Sequence, residues 1–276
     1  MARGARHPRA EAPGMTRFAR PGAVTLHYNH HTGDPARRPI VFANSLGTDL
    51  RIWDTVRSAL PPDTPTLAMD KRGHGLSEHG PITIETLAAD LAALMDHLAL
   101  SDALICGVSV GGMIAQSLAH QRPDLVAGLM LCNTGAQIGT AEAWTMRIDT
   151  VQTSGIAAMA DAILERWFSP DWRAAHPVAL SGWRQMLIRT PADGYAATCA
   201  AIRDADLTAT TARLSLPTLC LAGSEDGATP PPLVEALADL IPGAHFTCLN
   251  GVGHLPCIEA PDHLAPLLRD LYDSLP

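Results

Sequence analysis

The amino-acid sequence predicts an α/β protein: a mostly parallel central sheet flanked by helices, with a helical cap inserted late in the chain. Three observations predict it. Short β-rich apolar runs alternate with helical patterns, the signature of parallel strands joined by covering helices. The alternation breaks between Asn133 and Pro217, where helical patterns continue without a convincing strand, over a length too great for a structureless loop. Finally, 276 residues of which 47% are hydrophobic and 17% charged are enough to bury one large core and too apolar for disorder.

Taken in order, residues 1–20 are expected to be a poorly ordered N-terminal extension. They carry Arg3, Arg6 and Arg9, lack a periodic apolar pattern, and include a second methionine at Met15. They contain no apolar stretch of the kind a signal peptide needs. Strands are expected at 24–29, 39–44, 66–70, 103–108, 127–132, 218–222 and 245–249. His30 and His31 follow the first of these and read as a surface turn; adjacent histidines on an extended chain point apart, so no metal is expected there. Residues 84–98 place Leu87, Leu91, Leu94 and Leu98 at helical spacing, with Thr83 as the cap and Asp90 and Asp96 turned outward. Further helices are expected at 233–240, after the proline run 230–232, and at 261–272, opened by Pro261. The core is thus assigned to 21–134 and 214–276, and the cap to 135–213.

Charge and cysteine usage narrow the partners. The net charge is −8 and no Lys/Arg cluster lies beyond the extension, which argues against nucleic acid. No apolar run approaches the roughly 18 residues that cross a bilayer, which argues against a membrane. A small-molecule partner remains. The six cysteines form no C-x-x-C pair, so neither a disulfide framework nor a metal site is expected; Cys106, Cys132, Cys220 and Cys248 fall in strands as small buried hydrophobes, and the compartment is read as cytoplasmic.

The chemistry is carried by Gly107-Val108-Ser109-Val110-Gly111, a G-x-S-x-G sequence directly after the run ALIC and directly before a helical run from Met113. Strand, sharp turn and helix lift a serine hydroxyl above the sheet, and flanking glycines avoid collision with neighbouring backbone. A hydroxyl needs a base to take its proton and an acid to orient that base, in the chain order Ser, acid, His for this context. Of twelve histidines, His254 stands in the Gly-rich loop just past the strand 245–249 and is the chosen base. For the acid, Glu225 and Asp226 both follow the strand ending near Gly223, and Asp226 is favoured. The backbone N–H groups of Val110 and of Leu46, in the loop after strand 39–44, are expected to form an oxyanion hole. Arg72 and His74, in the turn Asp70 to Ser77, are expected to support the site from behind.

With these residues in place, the chain resembles the 3-oxoadipate enol-lactonases of the α/β-hydrolase fold. The resemblance runs from about His27 onward and rests on the stretch Asn44 to Trp53 (NSLGTDLRIW), Asp70 to Ser77 (DKRGHGLS), Cys132 to Gly139 (CNTGAQIG), Glu165 to Phe168 (ERWF) and Gly194 to Ile202 (GYAATCAAI). It implies a serine esterase of the β-ketoadipate branch of aromatic degradation, with Ser109, Asp226 and His254 as its triad and no cofactor or metal. Val110 replaces an expected Met, and Val252-Gly253 a more polar approach to His254. A carboxylate-bearing lactone calls for a cation, and Arg147, one helical turn past Trp144, is expected to line the pocket with it. Other readings are a carboxylesterase or C–C bond hydrolase of the same fold acting on another small carboxylate, or a binding protein that keeps the triad for other ends.

Overall fold

The fold is described from a computed structural model, which describes residues 16–276. Eight strands form one sheet in the order β1-β2-β4-β3-β5-β6-β7-β8: Arg17–Ala19 (β1), Leu26–His31 (β2), Ile40–Ala43 (β3), Thr66–Met69 (β4), Ala103–Val108 (β5), Val126–Cys132 (β6), Thr218–Gly223 (β7) and His245–Leu249 (β8). The pairs β1/β2 and β2/β4 are antiparallel, and every later pair is parallel. The central strands β3, β4 and β5 are buried at every position, as expected of parallel strands covered on both faces.

Twelve helices accompany the sheet among the described residues. Asp54–Ser58 (α1), Ile84–His97 (α2) and Val110–Gln121 (α3) precede β6; Pro231–Leu240 (α10), Pro256–Glu259 (α11) and Pro261–Ser274 (α12) follow β7. Thr83 caps α2 through a reciprocal box with Thr86, satisfying two otherwise orphaned donors. Between β6 and β7 lie Ala141–Ser154 (α4), Ala160–Trp167 (α5), Pro170–Ala175 (α6), Pro177–Ile188 (α7), Ala192–Asp204 (α8) and Thr208–Thr211 (α9). No helix among the described residues is long and apolar enough to cross a membrane.

Four sequence expectations are corrected. Of the extension assigned to residues 1–20, positions 1–15 lie outside the described residues, but Arg17–Ala19 pairs with β2, Phe18 opposite His27. A three-residue strand is too short for its alternation to show. His30 and His31 belong to β2 and not to a turn, His30 buried and His31 bonding through Nε2 to Pro62 O at 2.7 Å. Asp90 is not turned outward: it is buried on α2, where its carboxylate receives Nε and Nη2 of Arg72. Helical periodicity treated it as solvent-facing because its partner comes from a distant turn. Cys248 is exposed, because β8 is an edge strand with only β7 beside it.

The register matters most for function. Ala43 pairs with Gly107, Val108 with Cys132, Cys132 with Leu221, and Gly223 with Leu249. The carboxyl ends of β3, β5, β6, β7 and β8 therefore fall in one row, and the loops that follow them meet along a single edge. This is where ligands bind in open α/β sheets.

Candidate active site

Ser109 stands between β5 and α3 with φ 58° and ψ −122°, a conformation costly for a residue with a side chain. The neighbouring glycines explain how it is tolerated. A Cβ on Gly111 would lie 2.0 Å from the carbonyl oxygen of Ala43, and one on Gly107 would lie 2.3 Å from that of Gly111, so only glycine lets α3 start this close to the strands. The bend is held by Ser109 N–H donating to Cys132 O and by the Thr134 hydroxyl donating to Ser109 O, at 3.0 and 2.7 Å.

The histidine loop after β8 and the acid loop after β7 converge. Asp226 Oδ2 lies 2.8 Å from His254 Nδ1, and both side chains are buried. Asp226 Oδ1 accepts the N–H groups of Ala228 and Thr229 at 2.6 and 3.0 Å, and Oδ2 also lies 2.6 Å from the Thr229 hydroxyl. Burial pushes this carboxyl upward, but the facing His254 and the hydrogen bonds from His254 and Thr229 outweigh it and hold the group below its ordinary value. Asp226 is thus an anion, and it fixes the ring with Nδ1 toward the acid.

Asn133 ties these loops together. It adopts φ 46° at the end of β6, and its fully buried amide donates to Gly253 O and His254 O at 3.1 and 2.8 Å while accepting Gly223 N–H at 2.8 Å. The helical insertion grips the same loops: Trp167 O accepts His254 N–H at 2.8 Å, and Arg166 Nε donates to Gly227 O at 2.9 Å. Glu259 receives Gly253 N–H at 3.0 Å and the Ser169 hydroxyl.

Ser109 and His254 line one cavity of about 350 Å³, together with Leu46, Trp144, Arg147 and Tyr195. Arg166, Met159 and Ile163 of the insertion complete its upper wall. Arg147 Cζ lies 5.4 Å from the Trp144 ring centroid and 5.9 Å from that of Tyr195, and Trp144 Nε1 donates to Ile138 O at 2.6 Å. The rings orient the guanidinium without neutralising it. Burial, aided by repulsion from Arg147, lowers the pKa of Arg166, yet an arginine keeps its charge under such conditions. A larger cavity of about 720 Å³ lies near the amino-terminal ends of β3 and β5, away from this edge, and its Arg37 and Arg38 are already paired with Asp63 and Asp102.

Of the seven residues singled out from the sequence, Ser109, Asp226, His254, Leu46 and Val110 lie at this edge, and Trp144 and Arg147 line the same cavity from α4 of the insertion. The N–H of Val110 opens α3, so it has no acceptor within its own helix. Sequence reasoning did not single out Arg166, Tyr195, Thr229 or Asn133. Arg166 and Tyr195 sat within recognised motifs as unassigned members; Asn133 and Thr229 are short polar residues indistinguishable from ordinary turn formers. A hydroxyl, an imidazole and a buried carboxylate beside an apolar cavity with two cations can carry out acyl transfer on an anionic ester.

Known proteins share this architecture. Residues 40–266 match the model of the alpha/beta hydrolase family. The chain is similar to 3-oxoadipate enol-lactonase 2 of Acinetobacter baylyi, 36% identical over 73% of this chain and 76% of that protein. It is similar also to 3-oxoadipate enol-lactonase 1 of the same organism, 32% identical over 86% of this chain and 89% of that one. Among solved structures, the enol-lactonase from Burkholderia xenovorans LB400 superposes with a TM-score of 0.89 and 37% identity, covering 94% of this chain and all of that one.

Proposed function

The chain belongs to the alpha/beta hydrolase family and, within it, to the family of the 3-oxoadipate enol-lactonases, and from that premise we propose how this hydrolase opens its lactone ester. The substrate is 3-oxoadipate enol-lactone and the product 3-oxoadipate, a step of the β-ketoadipate pathway. Ser109 is the nucleophile, His254 the general base and Asp226 the acid that orients it. The single observation that carries this reading is the bond of 2.8 Å between Asp226 and His254 beside a strained serine on the same cavity.

Ser109 Oγ attacks the ring carbonyl while His254 Nε2 takes its proton, Nδ1 being engaged by Asp226. The N–H groups of Leu46 and Val110 hold the resulting oxyanion. When the ring C–O bond breaks, the leaving oxygen receives the proton from His254 and departs as an enol, which tautomerises to the ketone. The fragment stays attached as the acyl-enzyme. Water, deprotonated by His254, then attacks the ester carbonyl; the bond to Ser109 Oγ breaks, His254 returns the proton to that oxygen, and the second carboxylate is released. Residues 135–213 act as a cap that shapes the cavity over the 21–134 and 214–276 core, and Arg147 with Trp144 receives the carboxylate already present on the substrate.

The test is a spectroscopic assay of enol-lactone loss with wild type and Ser109→Ala side by side. The substitution is expected to lower kcat by about three or more orders of magnitude while leaving the thermal midpoint near that of wild type. Equal rates would remove Ser109 from the chemistry. Turnover of simple aryl esters without turnover of the enol-lactone would assign a different ester substrate.

A further inference from the structure

Two buried bases that this chemistry does not use sit directly behind the loop Asn44–Asp49. Lys71 is 1% exposed, and its Nζ donates to Ser45 O at 2.5 Å and to Thr48 O at 3.3 Å. His74 is fully buried, and its Nε2 accepts Gly47 N–H at 3.1 Å, which places the ring proton on Nδ1. The two contacts bracket Leu46. The carbonyl of Ser45 and the N–H of Leu46 belong to the same peptide unit, which is planar, so whatever fixes one end fixes the direction of the other.

We propose that Lys71 is a positioning residue for the oxyanion donor: its ammonium, bonded to the carbonyl of the Ser45–Leu46 peptide, aims and polarises the Leu46 N–H at the opposite end, while His74 holds the next peptide. This rests on the proposed oxyanion role of Leu46. A charge-assisted bond to a carbonyl strengthens the N–H of the same amide as a donor, because linked hydrogen bonds polarise one another.

The ammonium is not there to satisfy stranded carbonyls. Ser45 O also accepts the Thr48 hydroxyl at 2.8 Å and Thr48 N–H at 3.3 Å, and Thr48 O accepts Asn44 Nδ2 at 2.8 Å. Nor does it complete an ion pair. The nearby carboxylates are occupied: Asp70 takes His27 and the N–H groups of Leu50 and Leu76, and Asp49 takes Arg51. A buried cation without a paired anion costs stability, so its presence here calls for a use.

The charged and titratable groups facing Lys71 are Asp70, Asp49 and His74. Burial dominates over the two carboxylates and brings Lys71 down to about 7. The ammonium is therefore lost as pH rises through about 7, and with it the polarisation. Between about 7 and the ordinary lysine value of 10.5 the unfolded chain binds more protons than the folded one, so at pH 7 and below this group opposes folding.

The experiment measures kcat and KM against pH for wild type, Lys71→Met and Lys71→Gln, on the enol-lactone and on a neutral aryl ester. The Met variant is expected to lose about 10- to 100-fold in kcat on both substrates at pH 6 to 7, with KM within about twofold, since an aimed donor is weakened and not removed. The alkaline decline of wild type near pH 7 is expected to vanish in both variants, with Gln intermediate in rate because it donates without titrating. Inhibition by an alkyl boronic acid, whose tetrahedral adduct uses the oxyanion donors, should weaken by the same factor as kcat. The melting temperature of the Met variant at pH 7 should equal or exceed that of wild type, an outcome opposite to that of a purely structural lysine. Retention of wild-type kcat and pH profile in the Met variant, or a kcat loss that only tracks a lowered melting temperature, would overturn the inference. A wild-type enzyme turning over neither ester would overturn the proposed function itself.

Discussion

The carboxyl edge of the sheet and the helical insertion above it treat charge in opposite ways. At the edge, Asp226 is met by His254, Thr229 and two backbone N–H groups, and Asp70 by His27 and two more. In the insertion, Arg147 and Arg166 face the same cavity and neither pairs with a carboxylate among the described residues. The carboxylates of the edge are fully partnered; the two arginines of the insertion await an anion. Under the proposed function, the difference divides the work, acyl transfer below and selection of a carboxylate-bearing substrate above, so the two should fail separately.

The sharpest way to break that separation is Asp226→Asn. The amide cannot stabilise an imidazolium and can hold the ring in the wrong tautomer, so kcat should fall by about three to four orders of magnitude with KM little changed, read in the lactone assay. The same carboxyl makes a pH prediction. Its folded pKa is depressed, so the stability it contributes is complete above the ordinary carboxyl value of 3.8 and is lost as pH falls through the lower folded one. Acid melting curves of wild type should therefore drop more steeply below pH 4 than those of the Asn variant, and parallel curves would remove Asp226 from the balance.

Next in size is Asn133→Ala. It leaves Gly253 O, His254 O and Gly223 N–H without their buried partner, which should cost about 2 to 4 kcal/mol in denaturant unfolding and slow turnover by loosening His254. Unchanged stability would mean that the loops hold one another without the bridge.

The smallest effect belongs to the insertion. Arg147→Ala should raise KM for the carboxylate-bearing lactone about 10- to 100-fold, the loss of one charge-assisted contact, and leave a neutral aryl ester almost untouched. Equal losses on both substrates would place Arg147 in the chemistry and collapse the distinction between the two regions.

The alternation of strand and helix and the break after Cys132 were legible because burial on two faces imposes apolar runs, whatever covers them. Ser109 was legible because its bend demands glycines at Gly107 and Gly111, a local steric need written in adjacent residues. His254 and Asp226 were legible by order and by the strands before them, since loops that follow parallel strands must meet at one edge. These are facts of local sterics and of spacing along the chain, and the sequence by itself determined them.

What only the tertiary structure decided are pairings between elements far apart in the chain. Asp90 reads as a solvent-facing helix position until Arg72 arrives from another loop to neutralise it. Asn133 reads as a turn former until the end of β7 and the loop after β8 close around its amide. Lys71 carries no local mark of its role, which arises when the loop bearing Leu46 folds over it and removes its water. A polar residue's character depends on what replaces its hydration, and that partner is chosen by the register of the sheet and the packing of the insertion, neither of which is written next to the residue it governs.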